Sequence, residues 1–378
     1  MDTRAHAILS ASGSARWLNC NPSARLEEML PEVKFVGKGD FSYSEEGTLA
    51  HTLGELKIRK HYDKITKVEF DKEYAKVKTS RYYNEEMENL TDDYALFVRS
   101  QAGSDDIVLV EVRVDFSDYV PQGFGSSDIV IISKDHIHVI DYKHGVKFVD
   151  VKGNTQCRLY GIGALSMFEE EYPNIREVKY SIFQPRANNI ATDSVTVERL
   201  KEWGKYYVKP RAKKAWVGEG DFLVGDWCGY CKVKAQCRAR TDFNTAVARM
   251  EFRDPPLLTD EEVAEVLSKA QNLKTWANDV EDFALTQAVN AGVLPNGYKL
   301  GTTKTHRKIV DHTMAATVLL EKGYKREEIF EKPGLKSVAQ LEKLGAKNEV
   351  SGILGALIQR PEGSPKLVKD ETLAEDFK

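Results

Sequence analysis

Apolar positions recur along the chain at two periods. Over residues 43–62, YSEEGTLAHTLGELKIRKHY, Leu49, Leu53, Leu56 and Ile58 make a rough apolar face at helical spacing. DIVLVEVRVD, 106–115, alternates instead, so Val108, Val110, Val112 and Val114 are expected on one face of a strand and Leu109, Glu111 and Arg113 on the other. After the glycine-rich turn PQGFGSS, the stretch DIVIISKDHIHVIDYKHG reads as two short strands joined by a polar turn. Leu159, Ile162, Leu165 and Phe168, with Met167 alongside, then suit a helix over 155–171, and EVKYSIFQP reads as a further strand. The expected order is helix, three strands, helix, strand: an α/β core with a central sheet between helices. A basic and aromatic helical region follows over 195–216.

The pattern breaks at RDPPLLTDEE, 253–262, where paired prolines precede a capping box at Thr259 and Glu262. That break predicts one domain over 1–252 and a second, mainly α-helical, over 253–378. In the second, Val263, Val266, Leu267, Ala270, Leu273, Trp276, Val280 and Phe283 form a long amphipathic stripe.

The hairpin carries the candidate chemistry. With Lys134 and Asp135 as a two-residue turn, Ser133 faces His136 and, counting outward, Asp128 faces Asp141. Opposed side chains have Cβ atoms ~5 Å apart, and two carboxylates that close repel unless a cation lies between them. A hard divalent ion, Mg²⁺ or Mn²⁺, would relieve the conflict and could engage a phosphate. Lys143 lies two residues beyond Asp141 on the same strand face, where its ammonium could stabilise charge developing on phosphate. Glu111, mid-strand beside Arg113, reads equally as half of an ion pair and as a supporting carboxylate.

These residues resemble the PD-(D/E)XK nuclease superfamily, in which Asp128 and the Asp141-Tyr142-Lys143 triplet would stand on successive strands. The resemblance narrows to the RecB-like branch through His51 in GTLAHTLGE and through Gln156 and Tyr160 in TQCRLYG. It implies that His51, Asp128 and Asp141 bind the metal, and that Lys143, Gln156 and Tyr160 complete the catalytic set with the two aspartates. Gln156 and Tyr160, at i and i+4, share a helix face.

Composition limits the remaining readings. The chain has 378 residues, 42% hydrophobic and 30% charged, enough for two globular domains. No run of about 18 apolar residues and no basic-then-apolar leader is evident, so a cytoplasmic protein of a bacterial host cell with no membrane partner is expected. The net charge of −4 permits DNA binding if basic residues are grouped locally. One such group is RLKEWGKYYVKPRAKKAW, where Lys205, Lys209, Arg211, Lys213 and Lys214 are candidate phosphate contacts and the interleaved aromatics candidate stacking faces. A solvated helix with core aromatics fits the same run. Lys304, His306, Arg307 and Lys308 form a second basic spot.

Five cysteines without export signals point to metal ligation rather than disulfides. WCGYCKVKAQC supplies Cys228, Cys231 and Cys237, and a fourth ligand is missing locally. RecB-like nucleases of the AddB type and the CRISPR-adaptation nuclease with an iron-sulfur cluster place one cysteine before the core and three after it. That resemblance implies Cys20 as the fourth ligand of a 4Fe-4S cluster acting as a staple. Spacing alone leaves Zn²⁺ open as the occupant. Cys157, on the helix beside Gln156, is expected to point away from the site.

From SASGSARWLNCNPSARLEE to RPEGSPKLV, the chain is similar to a family of phage and prophage proteins of RecB-like nuclease type. The resemblance implies a metal-dependent deoxyribonuclease, an exonuclease of phage DNA replication or recombination, with DNA as substrate. It leaves room for a single-strand annealing or single-strand-binding protein as partner, and for an oligomer. The alternatives are a non-catalytic DNA-binding recombination accessory protein and a zinc-stabilised scaffold.

Overall fold

The structure is a computed structural model that describes residues 7–29, 42–248, 260–302, 308–331, 334–342, 344, 349–359 and 365–369. Two compact units divide it. Residues 1–33 and 38–280 make the first, and residues 34–37 and 281–378 the second.

The first unit opens with α1 (Ser14–Asn19), α2 (Ser23–Glu28), α3 (Ser42–His61), α4 (Lys67–Lys78) and α5 (Glu85–Gln101). Strands β1 (Ile107–Asp115), β2 (Phe124–Ile132) and β3 (His136–Tyr142) follow, then α6 (Thr155–Phe168), β4 (Glu177–Gln184) and β5 (Asn189–Thr196). The five strands lie in sequence order, with β3 and β4 parallel and every other neighbouring pair antiparallel. A parallel pair needs a long crossover, and α6 provides it. The sheet is thus mixed and flanked by helices, as the expected order of elements required.

Each sheet face has its own core. Leu53, Leu56 and Ile58 of α3, Phe70 and Val77 of α4, and Met87, Tyr94 and Val98 of α5 pack on Ile129, Ile131, Ile140 and Tyr142. On the other face Leu159, Ile162 and Leu165 of α6 pack on Val130, Ile132, Val139, Val178 and Tyr180. Full burial of one such aliphatic side chain stabilises the fold by roughly 1.5–3 kcal/mol, so the two layers hold the sheet between them. Helix α4 starts from a complete capping box at Thr66 and Glu69, and α5 from Asn84, whose side chain accepts from the Met87 amide at 2.8 Å.

Strand β1 departs from strict alternation. Val108 and Val110 join the α3–α5 core, but Val112 and Val114 join the α6 core. The switch occurs at Glu111, whose φ of 50° is left-handed, a region that costs a side-chain-bearing residue of order 1–3 kcal/mol. Val110 pairs with Ile129 and Val112 with Ser127, so Glu111 and Asp128 face each other at the one gap inside the β1–β2 ladder. The expectation of four valines on one face is corrected accordingly.

The turn is as expected: the Ser133 amide donates to the His136 carbonyl at 2.9 Å, leaving Lys134 and Asp135 as its two residues. Gly125 lets Tyr160 close on β2, since a Cβ there would lie 2.9 Å from the Tyr160 ring.

Beyond β5 the chain runs through α7 (Val197–Glu202), a π-helical turn (Trp203–Val208) and α8 (Lys209–Val217). Next come the cysteine loop, α9 (Arg238–Ala248) and the long α10 (Asp260–Ala291). The division between units falls within α10, at Val280, rather than at the paired prolines. Asp279 shows why: it pairs with Lys234 at 2.7 Å and with Arg240 at 2.6 Å, tying that part of α10 to the first unit. The expected capping box at Thr259 and the side chains of Val263 and Val266 lie outside the described residues. The rest of the stripe is not a buried seam, because Leu267 and Ala270 face solvent and Leu273, Trp276 and Phe283 are only half-buried.

The second unit is less helical than expected. Short helices α11 (His312–Glu321), α12 (Arg326–Ile329), α13 (Val338–Leu341) and α14 (Glu349–Leu354) gather around Ile309, Leu319, Ile329 and Leu341. Three two-stranded antiparallel sheets accompany them: 298–302 with 365–369, 308–309 with 358–359, and 330–331 with 334–335. Alternation over such short pieces is too brief to read from sequence.

Candidate metal centre and cysteine cavity

At the β1–β2 gap the ladder pairing is interrupted between Val110–Ile129 and Val112–Ser127, at Glu111 and Asp128. Donor atoms of His51, Glu111 and Asp128 lie within 4.8 Å of one another, and no other metal-donor trio comes that close among the described residues. His51 reaches in from α3, with Nδ1 3.4 Å from Asp128 Oδ1. The β2–β3 ladder ends at Ile129–Ile140, and Asp128 occupies the next step, accepting from the Tyr142 amide through Oδ2 at 2.7 Å. The carboxylate thus replaces a ladder partner while its second oxygen faces His51.

Asp141, the next residue on β3, is buried and engaged on the α6 side. Lys143 Nζ lies 2.8 Å from its Oδ2, and Gln156 Nε2 donates to its Oδ1 at 3.0 Å. Lys143 also donates to the Gln156 carbonyl oxygen at 3.3 Å, and Gln156 reaches the Tyr160 hydroxyl at 3.4 Å. The expected ligands therefore divide. His51 and Asp128 converge with Glu111, and Asp141 sits beside them, coupled to Asp128 by charge but held by Lys143 and Gln156. Arg113 does not pair with Glu111; its guanidinium lies 3.6 Å from the Phe124 ring centroid.

Crowding of charge sets the protonation states. Burial raises the Glu111 carboxyl to about 7, helped by the neighbouring charges of Asp128 and Glu55. Burial also raises Asp141, and Asp128 adds to the rise against the opposing pull of Lys143. Burial alone would raise Asp128, but His51 and Lys143 hold it below its ordinary value. For His51 the desolvation that disfavours the imidazolium is outweighed by Asp128, so the net shift is upward. Lys143 is likewise pulled down by burial but moved well upward by Asp141 and Asp128, and it stays an ammonium. Tyr160, raised by burial, keeps its proton.

One side chain braces both sides of this site. The Tyr142 ring meets His51 edge-on at 5.3 Å between centroids, while its amide holds Asp128 and its hydroxyl bonds His144 Nδ1 at 2.8 Å. His144 in turn lies 3.5 Å from Glu46, which shares Arg186 with Glu86. Sequence reasoning did not single out this support, because its members come from four distant segments.

The cysteines lie elsewhere. Cys20, Cys228, Cys231 and Cys237 line one cavity together with Leu26, Phe222, Leu223, Val224 and Trp227. Arg16, Lys234 and Arg240 line it too. Burial raises the Cys20 thiol and lifts Cys231 to about 12. No three of the four sulfurs lie within 4.8 Å of one another among the described residues. Cys157 is buried in the α6 core, away from that cavity.

Residues 6–373 match the family described as "Protein of unknown function (DUF2800)". The chain belongs to that family. A solved structure titled "Crystal structure of SSO0001" is similar over 50% of this chain and 94% of its own, at 15% identity and a TM-score of 0.26, too slight a likeness to bear on the argument.

In this family member the basic strip is split by burial. Lys205, Lys209, Lys213 and Lys214 are exposed, whereas Arg211 is half-buried and packs over Tyr207 at 3.8 Å. Trp203, Tyr207 and Trp216 pack against the α6 core, and Tyr206 faces solvent. Of the second basic spot only Lys308 lies among the described residues, in the short strand 308–309. No helix among the described residues is long and apolar enough to cross a membrane.

Proposed function

We propose that this protein is a metal-dependent deoxyribonuclease with a PD-(D/E)XK core of the RecB-like kind, acting as an exonuclease in phage DNA replication or recombination. The observation that carries the reading is the meeting of His51, Glu111 and Asp128 within 4.8 Å of one another, at a strained point of the sheet, beside the Asp141–Lys143–Gln156 cluster. One imidazole and two carboxylates suit a divalent ion such as Mn²⁺ or Mg²⁺, and Glu111 is raised first by burial and then by the charges of Asp128 and Glu55. His51, Asp128 and Glu111 would hold the ion, with Asp141 adjacent, and when bound it would supply Lewis acidity toward a phosphate oxygen.

The chain's own groups have distinct parts. Lys143 remains positively charged, so it serves to stabilise negative charge building on the phosphate rather than to accept a proton. Asp141 and the Gln156 carbonyl fix that ammonium from two sides, which lowers the reorganisation needed during reaction. Tyr160 keeps its proton and, through Gln156, holds the amide in the orientation that serves both Asp141 and Lys143.

The cysteine cavity accompanies this reading as a structural 4Fe-4S site. Tetrahedral zinc with Zn–S bonds of ~2.3 Å would draw the four sulfurs to about 3.8 Å from one another. The three basic residues lining the cavity suit an anionic thiolate set, and Zn²⁺ at the same thiolates is the alternative occupant.

The test is cleavage of end-labelled single- and double-stranded DNA with Mg²⁺ or Mn²⁺ and with EDTA. Wild type should cut only with the ion, and Asp141→Asn, which preserves shape, should lower the rate about 10³-fold while far-UV circular dichroism shows the fold retained. Equal cleavage by both proteins would reject the assignment.

A further inference from the structure

The loop that leaves Lys143 is built in an unusual way. Its backbone is fastened: the Lys143 amide donates to the Phe183 carbonyl at 2.9 Å. Buried Gln184 donates to the carbonyls of Gly145 and Lys147, each at 2.7 Å, and accepts from the Val149 amide at 3.0 Å. Asn189 adds a bond to the Val149 carbonyl at 2.8 Å. A loop fixed by two buried amides is rigid, yet Val146 is 70% and Phe148 64% exposed. Beside it stands Tyr230, 69% exposed, from the cysteine loop, with Lys147 Nζ 4.6 Å from its ring centroid.

Rigid backbone with apolar side chains held in water has no folding benefit, since the transfer term favours covering them. Two aromatic faces and a lysine match a strand that offers exposed bases and phosphates together. Duplex DNA offers phosphates but keeps its bases stacked inside. Five residues of chain span at most ~18 Å, so Phe148 lies within a few nucleotides of any phosphate placed at Lys143.

We propose that Phe148 and Tyr230, with the Lys147 ammonium over the Tyr230 ring, form a stacking platform that receives unpaired nucleotides of a single-stranded DNA leading to the Asp128–Lys143 site. The proposal deepens the nuclease reading and rests on it for the position of the scissile phosphate. It also gives the cysteine loop a second role, because the segment that carries Cys228 and Cys231 presents Tyr230.

The test measures binding of a fluorescein-labelled single-stranded oligonucleotide, and of its blunt duplex, by anisotropy in EDTA, where no cleavage is needed. The double variant Phe148→Ala/Tyr230→Ala should bind the single strand at least about tenfold more weakly, with little change for the duplex. Phe148→Trp should bind as wild type, and its indole fluorescence should be quenched on adding the oligonucleotide. Both side chains are exposed, so melting temperatures should match; Phe148→Ala alone carries the test if Tyr230→Ala disturbs the cysteine loop. Wild type that fails to bind the single strand, or a double variant that binds it equally well, overturns the proposal. So does a double variant whose only change is dissociation of a dimer in sedimentation, which would make the patch an interface between copies. Loss of binding in a protein whose wild type never cleaves DNA would sink the nuclease reading and leave the platform standing.

Discussion

The acidic site and the cysteine cavity, both in the first unit, are held in opposite ways. Around Asp128 the chain supplies its own partners: the Tyr142 amide and His51 for Asp128, Lys143 and Gln156 for Asp141. Around Cys20 and Cys231 it supplies mainly burial, which keeps those thiols protonated and the cavity without internal bonds between them. The acidic site is therefore shaped by its own hydrogen bonds and ion pairs, whereas the cysteine cavity, on the proposed 4Fe-4S reading, would draw part of its cohesion from what the thiols bind. Metal-thiolate binding free energy is folding free energy in such sites.

The largest expected effect follows from that asymmetry. On the proposed 4Fe-4S reading, Cys231→Ser should cost more than about 4 kcal/mol of stability or prevent soluble expression, with loss of bound iron, because cluster binding would then contribute to folding. Anaerobic purification, iron analysis and thermal melting would check it. Asp128→Ala, by contrast, leaves the Tyr142 amide and His51 without their acceptor and should cost about 1–3 kcal/mol, less than the cysteine variant. A Cys231→Ser protein as stable as wild type would erase the contrast.

A second contrast lies between two histidines. His138, buried on β3, bonds Ser181 at 2.7 Å and is pushed by burial down to about 4. Its folded value lies below its unfolded value of ~6.5, so between pH 6.5 and 4 the unfolded chain binds more protons. Stability from this group is complete above pH 6.5 and is lost as the pH falls toward 4, by about 3 kcal/mol in all. His51 is shifted the other way, so its contribution is complete below pH 6.5 and fades as the pH rises through its folded value. Urea titrations from pH 7 to 4.5 should show the loss in wild type and a flatter profile in His138→Gln. An unchanged slope in that variant would assign the acid sensitivity elsewhere.

How far these features are legible in sequence depends on how local their cause is. The two-residue turn at Lys134–Asp135 fixes the hairpin register, so the opposition of Asp128 and Asp141 follows by counting. Likewise Gln156 and Tyr160 share a face of α6 by spacing alone, whereas Cys20 and the three later cysteines line one cavity without a close grouping of their sulfurs among the described residues. Helices α4 and α5 were not singled out, since each buries only a few side chains among many charges. Strand β5 was missed because its alternation is mostly polar. The left-handed turn at Glu111 has no local signature either. A glutamate in a valine-rich strand hints at a role, but the exchange of faces at that residue depends on the two cores that pull on either side of it.

That residue yields the smallest and sharpest expectation. Glu111 stands opposite Asp128 in a strained backbone and is raised to about 7 by burial and by Asp128, so near neutrality it is only partly ionised. A carboxyl must lose its proton to bind a cation, so Mn²⁺ affinity measured by calorimetry should fall as the pH drops below 7. Glu111→Gln should weaken Mn²⁺ binding about tenfold at pH 8, or ~1.4 kcal/mol, and should leave only the pH dependence that deprotonation of His51 contributes. Without metal the same variant should be at least as stable as wild type, because it removes a carboxylate repelled by Asp128 and Glu55. Were Glu111→Gln to bind Mn²⁺ with the affinity and pH profile of wild type, Glu111 would be a strained bystander, and the ion would have to lie toward Asp141, where Lys143 and Gln156 already occupy both oxygens.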